Sequence, residues 1–186
     1  MGVALGTLFV VIELVLISLT LFVILRAGFL RLSSAVGIAR DGFPPGKAVP
    51  SWSLPDIDGR LRVTPAGDHW QMLVFVNRSL EAFPEVVSGM HYLAGSAREL
   101  EVLVISQDSA EDCRATVQQL DLQVPVVPVE PAFYDRFRVH VMPFAFFLDP
   151  RGIVRWVGLI NTEAQITLAW RMARASLRSA EVSEVM

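Results

Sequence analysis

The 186-residue sequence contains one cysteine, Cys113. A dithiol mechanism needs one thiolate to attack and a second sulfur to resolve the mixed disulfide, so a single chain cannot run such a cycle alone. Cys113 follows Glu111 and Asp112 on a predicted helix, where neighbouring carboxylates raise a thiol's pKa and discourage attack; the reading is a structural cysteine. The three histidines, His69, His91 and His140, fall on different elements without metal-ligand spacing, so no metal site is expected. Basic runs are also missing. With a net charge of -3 the chain has no face that neutralises phosphates, which argues against nucleic acid as a partner. Nothing in the residues calls for a cofactor, and Ser79 has no His or Asp placed to activate it as a nucleophile.

What is abundant is apolar sequence at the front. Val3 to Leu25 form a 23-residue stretch in which Glu13 is the only charged residue. As a helix it extends roughly 34 Å, enough to cross a bilayer. The run is too long for a signal-peptide core, and no Lys or Arg precedes it, so the reading is a retained anchor over residues 3–25. A carboxylate near the middle of such a helix is costly unless it finds a proton or a partner. Glu13 is therefore a candidate contact with another membrane subunit, aided by Ser18 and Thr20. Arg26, Arg31, Arg40 and Lys47 all follow the helix, which by itself would put the large domain in the cytoplasm.

Residues 26–47 read either as a juxtamembrane stalk, broken by Gly and Pro, or as an arm packed on the domain through Ile38 and Phe43. Residues 48–180 have the pattern of a folded α/β domain, and 181–186 form a tail. Two short strands flank a turn at Asp58 and Gly59, and the second carries alternating Leu61 and Val63. Gln71–Asn77 and Val102–Ser106 are continuous apolar runs suited to strands buried on both faces. One helix is expected between Ser79 and Ala97 and another after Ser109, which can cap it. A short helix spans Ala132–Phe137. Phe144–Leu148 and Ile153–Val157 flank a turn and form a hairpin, and a final helix runs from Thr162 to about Ser179.

This order, with GKAVPSWSLPDIDGR at the domain start, LVFVNRS at the first central strand and VHVMPFAFFLDPRGIVRWVG near the end, resembles the thioredoxin fold in its membrane-tethered TlpA and ResA branch. It is more similar still to MauD-like methylamine-utilisation proteins, whose anchor helix is followed by an arginine-bearing stalk like LRAGFLRL here. The resemblance implies a central mixed sheet flanked by helices. It also implies a domain outside a bacterial-type cytoplasmic membrane, and a role in maturing exported proteins. It makes Pro143 the family's cis-proline, after Met142, with Asp149 and Gly152 as the following turn; X-Pro bonds are the ones that tolerate cis.

The family's Cys-x-x-Cys falls on Leu80, Glu81, Ala82 and Phe83. A working site sets its first cysteine at a helix N-terminus, where dipole and free amides supply thiolate, but Leu80 and Phe83 cannot ionise. Pro84 suits a first helical position, so the helix is expected to begin near Phe83 or Pro84. Leu80 and Phe83 beside Met142 and Pro143 would then form an apolar patch where the family binds polypeptide. The leading expectation is a redox-inactive accessory subunit with no catalytic residue. The alternatives are a thiol-disulfide oxidoreductase of the family's kind, with Cys113 acting alone or with a partner's cysteine, and a structural subunit docked through Glu13.

Overall fold

The computed structural model describes residues 41–77 and 84–184, together with Glu13 and Ser18, which are helical and exposed. The anchor expected over residues 3–25 otherwise lies outside the described residues, and among those described no helix is long and apolar enough to cross a membrane.

Seven strands and four helices are described: β1 (Trp52–Pro55), β2 (Leu61–Thr64), β3 (Trp70–Val76), α1 (Pro84–Ser96), β4 (Leu100–Ser106), α2 (Ala110–Leu120), β5 (Val126–Pro128), α3 (Pro131–Phe137), β6 (Phe144–Leu148), β7 (Val154–Leu159) and α4 (Glu163–Glu184). The sheet order is β5-β4-β3-β6-β7, with β1 and β2 as a separate antiparallel hairpin. Strands β3, β4 and β5 run parallel, while β6 and β7 are antiparallel to their neighbours. The expected helix start near Phe83 or Pro84 adjoins residues 78–83, which lie outside the described residues. The final helix runs to Glu184, past the expected Ser179.

All seven residues of β3 are buried, as a strand covered on both faces requires. On one face Met72, Val74 and Val76 pack with α1, α4 and Cys113 of α2. There Trp170 meets Trp70 edge-on at 5.2 Å and stacks with Phe147 at 5.7 Å. Helices α1 and α4 approach closely because position 89 is glycine; a Cβ there would lie 2.7 Å from Ile166 Cδ1. On the other face Phe75 touches Tyr134, Phe137 and Phe146, with ring centroids 5.0, 5.2 and 5.6 Å away. Each such aromatic pair adds about 0.5–1.5 kcal/mol beyond its buried area.

Residues 41–47 pack on the domain, while Ile38 and the rest of the segment 26–40 lie outside the described residues. The Gly42 and Gly46 N–H groups donate to the Arg138 and Val154 carbonyls, and Phe43 lies edge-on to Phe137 with the Arg138 guanidinium over its ring. Strand β5 was not expected, since Pro125 and Pro128 break the sequence. An edge strand tolerates them because its carbonyls can still accept; the Val104 N–H donates to Pro125.

Two hairpins close on the same seven-residue device, Asp56–Arg62 and Asp149–Arg155, each reading Asp-x-x-Gly-x-x-Arg. The Oδ1 of Asp56 accepts the N–H groups of Asp58 and Arg60, and Oδ1 of Asp149 those of Arg151 and Ile153. The glycines, Gly59 and Gly152, sit at φ +80 and +77, where a side chain is strained. Each arginine then clamps the second carboxylate oxygen: Arg62 Nη2 at 2.8 Å from Asp56 and Arg155 Nη2 at 2.7 Å from Asp149. Burial by itself raises the Asp56 pKa, but hydrogen bonds from Arg62 and the Arg60 and Asp58 amides outweigh it and hold the group below the ordinary 3.8.

The two devices differ in what remains when the acid is removed. Arg155 is 10% exposed and its carboxylate contacts are to Asp149, whereas Arg62 is 20% exposed and keeps Glu101 at 3.0 Å. Asp149→Ala is expected to cost about 3–5 kcal/mol in chemical denaturation, the usual penalty for stranding a buried partner, and Asp56→Ala distinctly less. Because the Asp56 pKa is lowered on folding, its contribution is complete above 3.8 and disappears as pH falls through the native value. Asp56→Asn should therefore flatten the acid limb of the stability profile, and an unchanged limb would contradict the assignment.

Candidate functional site

In parallel α/β sheets, ligand-handling residues gather beyond the carboxyl ends of the strands. Here that end carries Val76 and Asn77 at the close of β3, Ser106 and Asp108 at the close of β4, and the Met142–Pro143 loop before β6. The antiparallel register pairs Phe75 with Phe144, so Pro143 lies one step beyond that pair, level with Val76. The Met142–Pro143 bond is cis. Pro143 is buried, Met142 half-buried and Val141 49% exposed. The Pro143 carbonyl accepts the Ile160 N–H at 3.2 Å, which ties the loop to the end of β7. Leu80 and Phe83, the other half of the expected apolar patch, lie outside the described residues. The structure brings Met142 and Pro143 to the strand end from which that segment departs, and no further.

Cys113 stands far from this region in sequence but close to it in space. Strand β4 runs parallel to β3, and the chain then enters α2, whose first turn packs Cys113 against the same strand ends. Cys113, Ser106 and Asp108 line one narrow cleft with Val76 and Asn77, with room for about one water molecule. The thiol is 3% exposed, and its Sγ points at the Asp108 carbonyl at 3.7 Å. Burial pushes its pKa up; a hydrogen bond with Ser106 opposes this, and the Asp108 and Asp112 charges add to it. The sequence pointed to a raised value through neighbouring carboxylates, whereas the dominant cause is desolvation. Ser109 caps α2 as expected, its Oγ accepting the Asp112 N–H at 3.1 Å.

Tyr134 was not singled out by the sequence. Its hydroxyl lies 2.5 Å from the Val76 carbonyl and 2.7 Å from that of Ile105, able to donate to one at a time, and it closes the sheet's carboxyl end from the aromatic face. Burial pushes the phenol well above its ordinary value, while the hydrogen bond to Val76 opposes that. A tyrosine in a seven-residue helix carries no periodic signal that separates it from ordinary core.

The histidines occupy three separate environments. His69 lies between Asp68 and Glu101, His91 Nε2 accepts the Gln123 N–H at 3.0 Å, and His140 lies 3.1 Å from Asp41. Among the described residues no three His, Cys, Asp or Glu side chains cluster as a metal site would need.

No protein-family model matches the sequence, and no curated protein does. Solved structures match in shape. A Chlorobium tepidum protein assigned as thiol:disulfide interchange protein DsbE superposes with a TM-score of 0.63 at 18% identity, covering 73% of this chain and 99% of that one. The fold is thioredoxin-like. A hypothetical protein from Sinorhizobium meliloti gives 0.61 at 14% identity over 73% of this chain and 87% of that one. A thiol-disulfide oxidoreductase from Bacteroides fragilis gives 0.56 at 17% identity over 66% and 97%. Identities this low establish the thioredoxin-like architecture alone.

The site yields one direct prediction. A buried thiol with a raised pKa exposes little thiolate at neutral pH. Cys113 in the folded chain should react with an alkylating reagent far more slowly than after denaturation, and alkylation at comparable rates in both states would show an accessible thiolate.

Proposed function

We propose that this chain is a membrane-tethered, thioredoxin-like binding or accessory subunit that performs no thiol-disulfide chemistry of its own. The observation that carries the reading is the state of its only sulfur nucleophile: Cys113 is enclosed on α2 with its pKa raised, and the positions matching the family's thiols are Leu80 and Phe83. The fold is kept while both halves of a dithiol cycle are missing.

In this reading the apolar stretch 3–25 holds the domain at a bacterial-type cytoplasmic membrane as a single pass, with the domain on the extracytoplasmic side. Leu80 and Phe83, with Met142 and Pro143, form the surface that takes an extended polypeptide. Apolar side chains at the former thiol positions turn a transient covalent contact into a purely non-covalent one, which suits holding or delivering a partner. That partner is an exported polypeptide or a membrane subunit awaiting assembly, as in a MauD-like role, and Glu13 supplies a contact inside the bilayer. A structural role in a membrane complex, docked through Glu13 alone, is the narrower form of the same idea.

A second reading draws on the shared cleft. Cys113 lies beside Val76 and Asn77, so an opening of α2's first turn would bring one thiol toward the site, where a partner's cysteine could complete a disulfide exchange. The raised pKa and burial oppose it.

Affinity purification of the full-length protein from its native membrane in mild detergent separates these readings. Leu80→Asp with Phe83→Asp is expected to release a defined partner while Cys113→Ser retains it. Release by Glu13→Leu alone would assign the contact to the anchor. Loss of the partner in Cys113→Ser, with a mixed disulfide on non-reducing gels, would replace the accessory reading with the thiol one.

A further inference from the structure

At the end of the sheet opposite the candidate site, one polar cluster joins the β1–β2 hairpin to the central strands. Arg62 of β2 reaches Asp56 in the hairpin turn and Glu101 of β4. The Nε2 of Gln71 on β3 donates to Glu101 Oε2 at 2.9 Å and to the Val63 carbonyl at 2.8 Å, and its Oε1 accepts from the Thr64 hydroxyl at 3.0 Å. His69, in the β2–β3 connection, completes the set. Its Nδ1 lies 2.5 Å from Asp68 Oδ1 and its Nε2 lies 3.2 Å from Glu101 Oε2.

A neutral imidazole has one N–H, so it can donate to only one of two flanking carboxylates and must turn a lone pair toward the other. Both contacts are hydrogen bonds only in the imidazolium form. We propose that His69 is a proton-operated catch that fastens the β2–β3 connection, and with it the β1–β2 hairpin, to the base of strand β4.

The surrounding charges favour the proton. Asp68 on the same connection, Glu101 on β4 and Asp56 in the hairpin turn are three carboxylates, against which the cluster sets the single cation of Arg62. Glu99, whose carbonyl accepts the Trp70 N–H, directs its carboxylate to Arg174 instead. Burial lowers the His69 pKa, but hydrogen bonds to Glu101 and Asp68, and their charges, outweigh that and raise it above 6.5. With the native value raised, the catch contributes fully below 6.5 and is lost as pH rises through the native value.

Its mechanical consequence reaches further than the cluster. Arg62 stands opposite Leu54 in the hairpin register, and Leu54 forms one wall of a groove of about 370 Å³ whose other side is Pro128, Val129, Phe133 and Arg136. Deprotonation leaves the ring one N–H: on Nδ1 it frees Glu101 from the connection, on Nε2 it frees Asp68, and in either case one of the ties at the base of this wall is lost while Arg62 and Gln71 keep theirs. His91 makes the opposite use of its ring, since its Nε2 accepts a backbone N–H.

The test is a titration of the full-length chain in detergent, following the histidine ring protons by NMR from about pH 5 to about pH 9. Amide-exchange protection factors, corrected for intrinsic rates, are read for Arg62 to Trp70 on both sides of the midpoint. The His69 midpoint is expected above 6.5, with protection of the hairpin and connection falling as pH passes it. Glu101→Gln should lower that midpoint. His69→Gln should leave protection low and independent of pH. A midpoint at or below 6.5, or equal protection on either side of it, or pH-dependent protection that persists in His69→Gln, would overturn the proposal.

Discussion

Strand β3 is buried along its whole length, and that constraint organises the domain. A strand with no solvent face must be covered twice, by α1, α4 and α2 on one side and by the Phe75-centred aromatic cluster with α3 on the other. Its two edges are also taken, by parallel β4 and antiparallel β6, in an unbroken register. The register leaves little freedom at the carboxyl end. Pro143 must arrive level with Val76, and α2 must begin within reach of Asn77, because slipping either strand by one residue would turn its apolar set to the wrong face.

The two ends of the sheet divide the chemistry. At the base, Asp56, Glu101 and Asp149 are clamped by Arg62 and Arg155, and the buried Gln71 is satisfied by Thr64, Val63 and Glu101. Buried polar groups fully paired in this way favour one arrangement over its neighbours, since any shift strands a charge. At the carboxyl end Asn77, Ser106 and Asp108 stand beside Val76, Met142 and Pro143, and the buried Tyr134 hydroxyl is turned to strand carbonyls. Cys113 is enclosed there as part of the packing.

Much of this was legible in the sequence, for reasons that also explain the gaps. Long apolar runs bounded by turn residues located β3, β4 and β6, and Ser109 marked the start of α2, because those signals are local. Strand β5 was missed because three residues between prolines carry no pattern; only the neighbouring β4 makes them a strand. The Asp56 and Asp149 turns were noticed through their glycines, yet the arginine six residues on, which clamps each carboxylate, went unread although the spacing is plain in the sequence. Cys113 is far from the candidate site along the chain, and only the crossover that brings α2 back beside β3 places it there in space. Tyr134 and the His69 cluster depend on contacts between distant segments, and no local pattern announces them. Of the candidate site, Met142 and Pro143 stand at the carboxyl end of the sheet with a cis bond between them, while Leu80, Phe83 and the anchor apart from Glu13 and Ser18 lie outside the described residues.

The fold is thioredoxin-like and the chain holds one cysteine, and the proposed accessory role rests on the missing second sulfur. The most direct measurement is thiol-disulfide exchange by the wild-type chain and by a Leu80→Cys, Phe83→Cys variant, each in a Cys113→Ser background and in the native one. No exchange is expected from the wild-type chain with or without Cys113, and a disulfide with measurable exchange is expected once both cysteines are installed. Exchange by the wild-type chain that vanishes with Cys113→Ser would contradict the accessory role.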